Sequence, residues 1–304
     1  MDRAGIRGVS FSMKIKTWFL ATRPWSFVMT IVSCLLGAIF ALKELNVTIF
    51  LLILVGLILA HAATNLLNDY FDVKTRVDKP NAPTAQYRPH PYLSGLIMSS
   101  SLLLTIIIIY ALTIAIAFYL YFLTTNLAIF FFLIFGLLIS IFYTFPYFSL
   151  KYRALGEPFV AIIWGPFMVF GTYYVLTFKM NIIVLLASIP IGILVALVLM
   201  ANNIRDMDYD KSAGIKTIPI ILGKERSLNL FKILLGVCYL VVGIVAYLDI
   251  PFSLISLVTI LQAIRIVKRF EKEVPPNADP IVANLTLIFG ILYIIGTALS
   301  LIVF

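Results

Sequence analysis

Two acidic stretches set the architecture of this chain: Asn68-Asp69-Tyr70-Phe71-Asp72, continuing to Asp78, and Asn202-Asn203-Ile204-Arg205-Asp206-Met207-Asp208-Tyr209-Asp210. Each stretch lies where a long apolar run meets a polar loop. Six of the 14 acidic residues of the chain fall within them. Carboxylates at membrane depth are energetically costly and by default mark a functional site. We therefore expect two acidic clusters that face each other across one site.

The composition indicates a membrane protein. Hydrophobic residues make up 62% of the 304 residues and charged residues 12%, with a mean hydropathy of +1.06. A helix that crosses a bilayer needs about 20 mostly apolar residues, and such runs lack the alternation of a membrane barrel strand. We predict an all-α membrane protein with nine transmembrane helices at residues 20–42, 47–72, 95–121, 124–145, 157–177, 181–205, 226–248, 251–270 and 281–303.

The basic residues predict the orientation. Of the 23 Lys and Arg residues, only Lys43 and Lys179 fall in connections on one side of the predicted membrane. The positive-inside rule then puts the N-terminus and both acidic stretches on the cytoplasmic face of the cell membrane. The net charge of +9 reflects this topology and attraction to anionic lipids in the lipid bilayer. We expect no nucleic acid partner.

A weak internal repeat relates the two halves of the chain. Asn68 and Asp72 recur as Asn202 and Asp206, in both cases 134 residues later. This spacing predicts that residues 1–304 form a single membrane domain of two four-helix halves and a ninth helix. The connection 73–94 has four prolines and is predicted to be extended and stiff: Pro80, Pro83, Pro89 and Pro91.

The acidic stretches carry oxygen ligands on shared helix faces. Asn68 and Asp72 are four residues apart, and Asn202, Asp206 and Asp210 repeat that spacing. Mg²⁺ is typically held by one or two carboxylates together with substrate phosphate. Solvated helix ends are the alternative, but two matched clusters on one membrane side argue against it. The predicted metal ligands are Asn68, Asp69, Asp72, Asp78, Asp206 and Asp210.

Basic and amide side chains near the clusters could complete a diphosphate site. Topology alone also explains Lys and Arg in cytoplasmic loops. Lys151 is favoured because it follows an aromatic stretch and precedes a new span, and we predict that it acts in catalysis with Asp72 and Asp206. His61 is expected to be a buried, hydrogen-bonded residue and His90 a loop residue. The predicted diphosphate ligands are Arg23, Asn68, Lys74, Arg76, Lys151, Arg153, Asn202 and Arg205.

At these residues the chain resembles the UbiA superfamily of intramembrane prenyltransferases. The resemblance covers nearly the whole chain and is carried by Asn68-Asp69-x-x-Asp72 and by Asn203-x-Arg205-Asp206-x-x-x-Asp210 followed by Ala213-Gly214 and Thr217. It implies a nine-helix bundle around a central cavity. Within the superfamily, three details are similar to the 1,4-dihydroxy-2-naphthoate polyprenyltransferases. These are Arg76 in place of the family's further aspartate, the later Asp78 and the doubled Asn202-Asn203.

The resemblance implies Mg²⁺-dependent transfer of a prenyl group from polyprenyl diphosphate to an aromatic small-molecule acceptor. In the naphthoate branch this reaction belongs to menaquinone biosynthesis, although the segment Pro83–Pro91 departs from that branch. Other acceptors remain open, namely 4-hydroxybenzoate and geranylgeranylglyceryl phosphate. A cation transporter is the non-enzyme alternative, but it predicts acidic residues throughout the membrane depth.

Overall fold

In the part that the structure describes, every named secondary-structure element is a helix. The structure is a computed structural model and describes residues 11–80 and 90–304, with side chains from Ile15 onward. The helices are α1 Phe11–Ala21, α2 Phe27–Phe40, α3 Val47–Lys74, α4 Ser99–Thr124, α5 Ala128–Phe142, α6 Gly156–Thr177, α7 Ile182–Arg205, α8 Met207–Ser212, α9 Ile218–Leu222, α10 Lys224–Leu248, α11 Pro251–Lys272 and α12 Ala278–Val303.

The predicted all-α membrane class is confirmed, but the number of spans differs from nine. Among the described residues, seven helices are long and apolar enough to cross a membrane: α3, α4, α6, α7, α10, α11 and α12. The bent pair α1 and α2 gives an eighth if it is one span. The predicted span 124–145 contains α5, which has 15 residues. At a rise of 1.5 Å per residue, α5 is about 22 Å long and shorter than the bilayer core.

The predicted first span is broken at Arg23 and Pro24. Pro24 has no backbone N–H and disfavours helical geometry in the preceding residue. Arg23 accordingly adopts a left-handed backbone conformation with φ 55°. The helices on either side of this break are inclined by 44°. The break carries the Arg23 side chain to the same end of the bundle as the acidic stretches.

The central helix α7 packs against α6, α10 and α12 and is the most buried of the candidate spans. Two glycines allow α6 and α7 to approach closely, because a Cβ on Gly192 would lie 2.3 Å from the carbonyl oxygen of Ala161. Opposite Gly192, Gly165 leaves helical geometry with ψ −106°, next to Pro166. A π-helical segment, Ile163–Phe170, follows from this irregularity. It places Trp164 on the cavity wall.

The connection after α3 is described in part. Residues 81–89, which include Pro83 and Pro89, lie outside the described residues. The predicted stiffness of the connection therefore stays a prediction there. Where the chain is described, Val77 N and Asp78 N both donate to the Asp72 carbonyl oxygen, at 2.8 and 3.0 Å. This turn brings Asp78 back to the end of α3.

Candidate active site

Both acidic stretches line one cavity with a volume of about 880 Å³. The cavity has a polar end, where α3 and α7 terminate, and a deeper wall of apolar and aromatic side chains from α2 to α7. The cavity therefore offers polar surface to a compact headgroup and apolar surface to a long tail. Eight of the predicted site residues line this cavity: Arg23, Asn68, Asp72, Asp78, Lys151, Asn202, Asp206 and Asp210.

Asp72 lies at the centre of the first cluster and is 1% exposed. The ammonium of Lys151 donates to Asp72 Oδ2 at 2.8 Å and to Asn68 Oδ1 at 3.3 Å. The phenol of Tyr152 donates to the other oxygen, Asp72 Oδ1. Both carboxylate oxygens thus have a partner, which fixes the orientation of the carboxylate.

The loop between α5 and α6 delivers Lys151 and Tyr152. Lys151 N donates to the Tyr143 carbonyl oxygen at 3.0 Å, which folds the loop back on the end of α5. The other side of the loop pairs with Lys216, whose N–H donates to the Tyr152 carbonyl oxygen and whose carbonyl oxygen accepts from Ala154 N. Backbone contacts on both sides therefore hold Lys151 over the end of α3.

In the second cluster, Arg205 binds Asp206 through two hydrogen bonds of 2.7 Å. Arg205 also donates to Asn202 Oδ1 at 2.8 Å and to the carbonyl oxygen of Pro276 at 2.9 Å, and it forms an ion pair with Asp279. Its side chain is 7% exposed and is not part of the cavity wall. Arg205 therefore joins α7 to the start of α12 and supports Asp206 from behind.

Negative charge accumulates at the polar end of the cavity. Burial, followed by the nearby carboxylates of Asp206, Asp72 and Asp78, raises the pKa of Asp210 to about 7, against the attraction of Lys151. Burial alone would lower the pKa of Lys151, but the Asp72 and Asp78 carboxylates raise it above its usual range, so the ammonium stays charged. Hard oxygen ligands crowded in this way favour a divalent cation. The residues present therefore fit a Mg²⁺ site that substrate oxygens would complete.

Asp69 belongs to a different cluster from Asp72. Asp69 directly follows Asn68, a residue of the cavity wall, and consecutive residues point about 100° apart around a helix. Asp69 therefore lies beside the cavity wall and is not part of it. It pairs with Arg23. Ligand atoms of Asp69, Asp78 and His90 lie within 4.8 Å of one another, with His90 Nε2 3.1 Å from Asp78 Oδ2. This cluster joins the break between α1 and α2 to the connection after α3.

Besides Arg205, three of the predicted diphosphate ligands are not on the cavity wall. Lys74 donates to the Tyr70 hydroxyl at 3.3 Å and lies over its ring. Arg153 lies over the Phe148 ring, 4.8 Å from its centroid. Arg76 is exposed, with φ 62°. Long cationic side chains readily lie along apolar surface with their charge in water, which accounts for these positions.

The structure also brings to the cavity two residues of the second acidic stretch that were not among the predicted metal or diphosphate ligands, Tyr209 and Asn203. The Tyr209 hydroxyl donates to the Val77 carbonyl oxygen at 2.9 Å and joins the two acidic stretches across the cavity. Asn203 donates to Glu157 at 3.0 Å inside the bundle. No spacing in the sequence predicts these contacts, because each joins elements that are far apart in the chain.

Comparisons with known proteins agree with this architecture. The profile of the UbiA prenyltransferase family matches residues 27–299. UbiA prenyltransferase domain-containing protein 1 of Danio rerio is 30% identical over 99% of this chain and 89% of its own length, and the Drosophila melanogaster homolog is 31% identical over 93% and 80%.

Solved structures show the same fold. The structure of a UbiA homolog from Archaeoglobus fulgidus bound to GPP and Mg²⁺ superposes with a TM-score of 0.69 at 18% identity and covers 91% of this chain and 99% of its own. A structure described as digeranylgeranylglyceryl phosphate synthase superposes with a TM-score of 0.59 at 20% identity, covering 96% and 99%. With 30% identity to relatives over almost its full length, the chain belongs to the UbiA prenyltransferase family and is a prenyltransferase.

Proposed function

We propose that this enzyme uses Mg²⁺ to transfer a polyprenyl group from a polyprenyl diphosphate to an aromatic acceptor, 1,4-dihydroxy-2-naphthoate. The observation that carries the proposal is the position of Asp72, Asp206 and Lys151 on one cavity with a long apolar depth. The Archaeoglobus fulgidus homologs bound to GPP or DMAPP together with Mg²⁺ support the donor class and the metal.

The polar end of the cavity would receive the diphosphate. Asp72, Asp206 and Asp210 would hold the metal, with Asn68, Asn202 and Asp78 as further oxygen ligands. Bound Mg²⁺ would neutralise the negative charge that develops on the departing diphosphate. Lys151 would donate a charge-assisted hydrogen bond to the same group. The catalytic residues in this proposal are Asp72, Asp206 and Lys151.

The apolar depth would hold the prenyl tail. In the reaction the allylic C–O bond breaks, diphosphate departs with the bonding electrons, and a ring carbon of the acceptor forms the new C–C bond. With 1,4-dihydroxy-2-naphthoate, the ring then loses CO₂. An allylic cation is captured by water wherever water is present, so a cavity within the bilayer protects the reaction. Trp164, Phe132 and Phe167 line this wall and offer ring faces that stabilise a cation.

The doubled Asn202-Asn203 and the late Asp78 favour the naphthoate acceptor, as in the branch that the sequence resembles. The cluster of basic residues around the acidic end supports a cytoplasmic location of the active site, in a cell membrane. The acidic residues that line the cavity lie at its polar end. A transporter would instead need charged groups along an ion path through the membrane.

A transfer assay tests this proposal. Purified protein is incubated with Mg²⁺ and radiolabelled prenyl diphosphates of several lengths. Each donor is combined with 1,4-dihydroxy-2-naphthoate, 4-hydroxybenzoate or geranylgeranylglyceryl phosphate, and products are separated by thin-layer chromatography. We expect a prenylated product with the naphthoate and none with the Asp72→Asn variant. Transfer only to geranylgeranylglyceryl phosphate, or to no acceptor at all, would contradict the proposal.

A further inference from the structure

Asn65 lies on the cavity wall between the polar end and the apolar depth. It precedes Asp72 by seven residues on α3, which places it about 10 Å deeper along the helix axis. Neither a diphosphate at the helix end nor an alkyl tail makes use of an amide at this depth. The polar atoms of Asn65 therefore need a separate explanation.

The two amide hydrogens of Asn65 are already bonded. Asn65 Nδ2 donates to the carbonyl oxygen of Thr22 at 2.9 Å and to the Ser26 hydroxyl at 3.1 Å. A carbonyl oxygen can only accept, so the contact with Thr22 fixes which end of the amide is nitrogen. Within residues 11–80 and 90–304, no hydrogen-bond donor contacts the other end, Asn65 Oδ1. The polar atom that Asn65 presents to the cavity is thus an acceptor.

The polar groups of Ser26, His61 and Thr30 bond one another and leave no donor for this oxygen. The Ser26 hydroxyl donates to the Arg23 carbonyl oxygen at 2.8 Å, so it accepts from both Asn65 Nδ2 and His61 Nε2. His61 Nε2 therefore carries a proton. Burial disfavours the charged ring, and in the neutral ring Nδ1 accepts from the Thr30 hydroxyl at 2.9 Å. This closed network leaves His61 without a free lone pair to act as a base.

The wall beside Asn65 is aromatic. The ring of His61, one helical turn deeper on α3, packs edge-on to Trp164 with centroids 5.1 Å apart, and both residues line the cavity. These rings offer apolar surface against which an acceptor ring can pack. An acceptor oxygen in an apolar setting selects a ligand with a hydroxyl donor and disfavours a carboxylate or phosphate, whose oxygens carry no hydrogen.

We propose that Asn65 Oδ1 recognises a phenolic hydroxyl of the acceptor and thereby makes Asn65 a specificity-determining residue. This inference rests on the proposed transfer to an aromatic acceptor. Asn65 Oδ1 would accept a hydrogen bond from the hydroxyl, and the ring would lie against His61 and Trp164. The hydroxyl would hold the ring in one orientation relative to the diphosphate, so that one carbon faces the allylic centre.

The experiment compares kcat/KM for the hydroxylated acceptor with kcat/KM for each of its monomethyl ethers. Wild-type protein is expected to prefer one hydroxyl over its ether by at least about tenfold, since a site built around a hydroxyl discriminates against analogues that lack it. In Asn65→Leu this preference should fall by about tenfold, the worth of one hydrogen bond, while KM for the prenyl diphosphate stays unchanged. Asn65→Ala gives a second measurement if Asn65→Leu does not fold.

Ser26→Ala is the matched control, because it removes a partner of Asn65 Nδ2 and of His61 but leaves Asn65 Oδ1 in place. It should keep the wild-type preference for the hydroxyl, even if its overall activity falls. An unchanged preference in Asn65→Leu and Asn65→Ala, or an equal loss in Ser26→Ala, would overturn the inference. Failure of the wild-type protein to prenylate any hydroxylated aromatic compound would instead contradict the proposed function on which it rests.

Discussion

Lys151 Nζ lies 2.8 Å from Asp72 Oδ2, although the two residues are 79 positions apart in the chain. The contact joins the end of α3 to the loop before α6 at the polar end of the cavity. It places one cation among several carboxylates, where a diphosphate and its metal would bind.

Replacing Lys151 by methionine should lower kcat by at least about 100-fold. A preorganised cation that contacts the departing group typically contributes that much. Lys74→Met is the control, because Lys74 is bonded to Tyr70 and is not on the cavity wall; it should stay within about twofold of wild type. Steady-state prenyl transfer measures both variants, and comparable losses in the two would contradict the role of Lys151.

Prenyl transfer should depend on Mg²⁺ that is bound in part by the second acidic stretch. Chelation with EDTA should abolish turnover, and added Mg²⁺ should restore it. In Asp210→Asn, half-maximal activity should need about tenfold more Mg²⁺, because one oxygen ligand has lost its charge. A titration of activity against Mg²⁺ gives this value. Asp249→Asn, which changes a carboxylate beyond the end of α10 and outside the cavity wall, should titrate like wild type; an identical curve for Asp210→Asn would exclude Asp210 as a ligand.

Arg205 should matter for stability. Its guanidinium contacts Asp206, Asn202, Pro276 and Asp279, so Arg205→Leu removes the positive charge between two buried or half-buried carboxylates. The loss is expected to be about 3–5 kcal/mol, visible as a lower Tm in detergent. Arg153→Gln, at an exposed position, should change stability by less than about 0.5 kcal/mol. A Tm for Arg205→Leu equal to that of Arg153→Gln would show that the network is not structural.

The contact between α6 and α7 should depend on Gly192. Alanine there would place its Cβ 2.3 Å from the Ala161 carbonyl oxygen, and the forced separation of the helices should destabilise the protein by about 1–3 kcal/mol. Gly243→Ala is the matched control, because a Cβ there meets nothing within 4 Å and alanine favours the helix by up to about 1 kcal/mol. Thermal unfolding of the two variants should therefore shift in opposite directions, and equal shifts would contradict the packing argument.

Features that lie within one helix could be predicted from the sequence. Apolar runs indicate α3 and α7, and the four-residue spacing places Asn68 with Asp72 and Asn202 with Asp206 on shared faces. The same local reasoning overestimates the length of α5, which is Ala128–Phe142 within a predicted span of 124–145. The apolar run continues past Phe142, but Pro146 disfavours a helix at Phe145, and the aromatic residues there form the loop that delivers Lys151.

Features that depend on contacts between distant elements could not be predicted in this way. Arg205 lies within the second acidic stretch, where a diphosphate ligand is expected. Its side chain instead pairs with Asp279, 74 residues later. The Tyr152 hydroxyl reaches Asp72 across 80 residues. The hydrogen bonds of Asn65 depend on the break at Arg23 and Pro24, which brings the Thr22 carbonyl oxygen to α3. Spacing along the chain contains no information on such pairs.

The most direct test of the account measures whether the two acidic stretches bind one headgroup together. Binding of a non-hydrolysable prenyl diphosphate analogue in the presence of Mg²⁺ is measured by calorimetry for wild type, Asp72→Asn, Asp206→Asn and the double variant. If both carboxylates hold the same bound diphosphate through Mg²⁺, each single variant should weaken binding by at least about tenfold, and the double variant should be little weaker than either one. Losses that simply add, or a single variant that binds like wild type, would contradict the account.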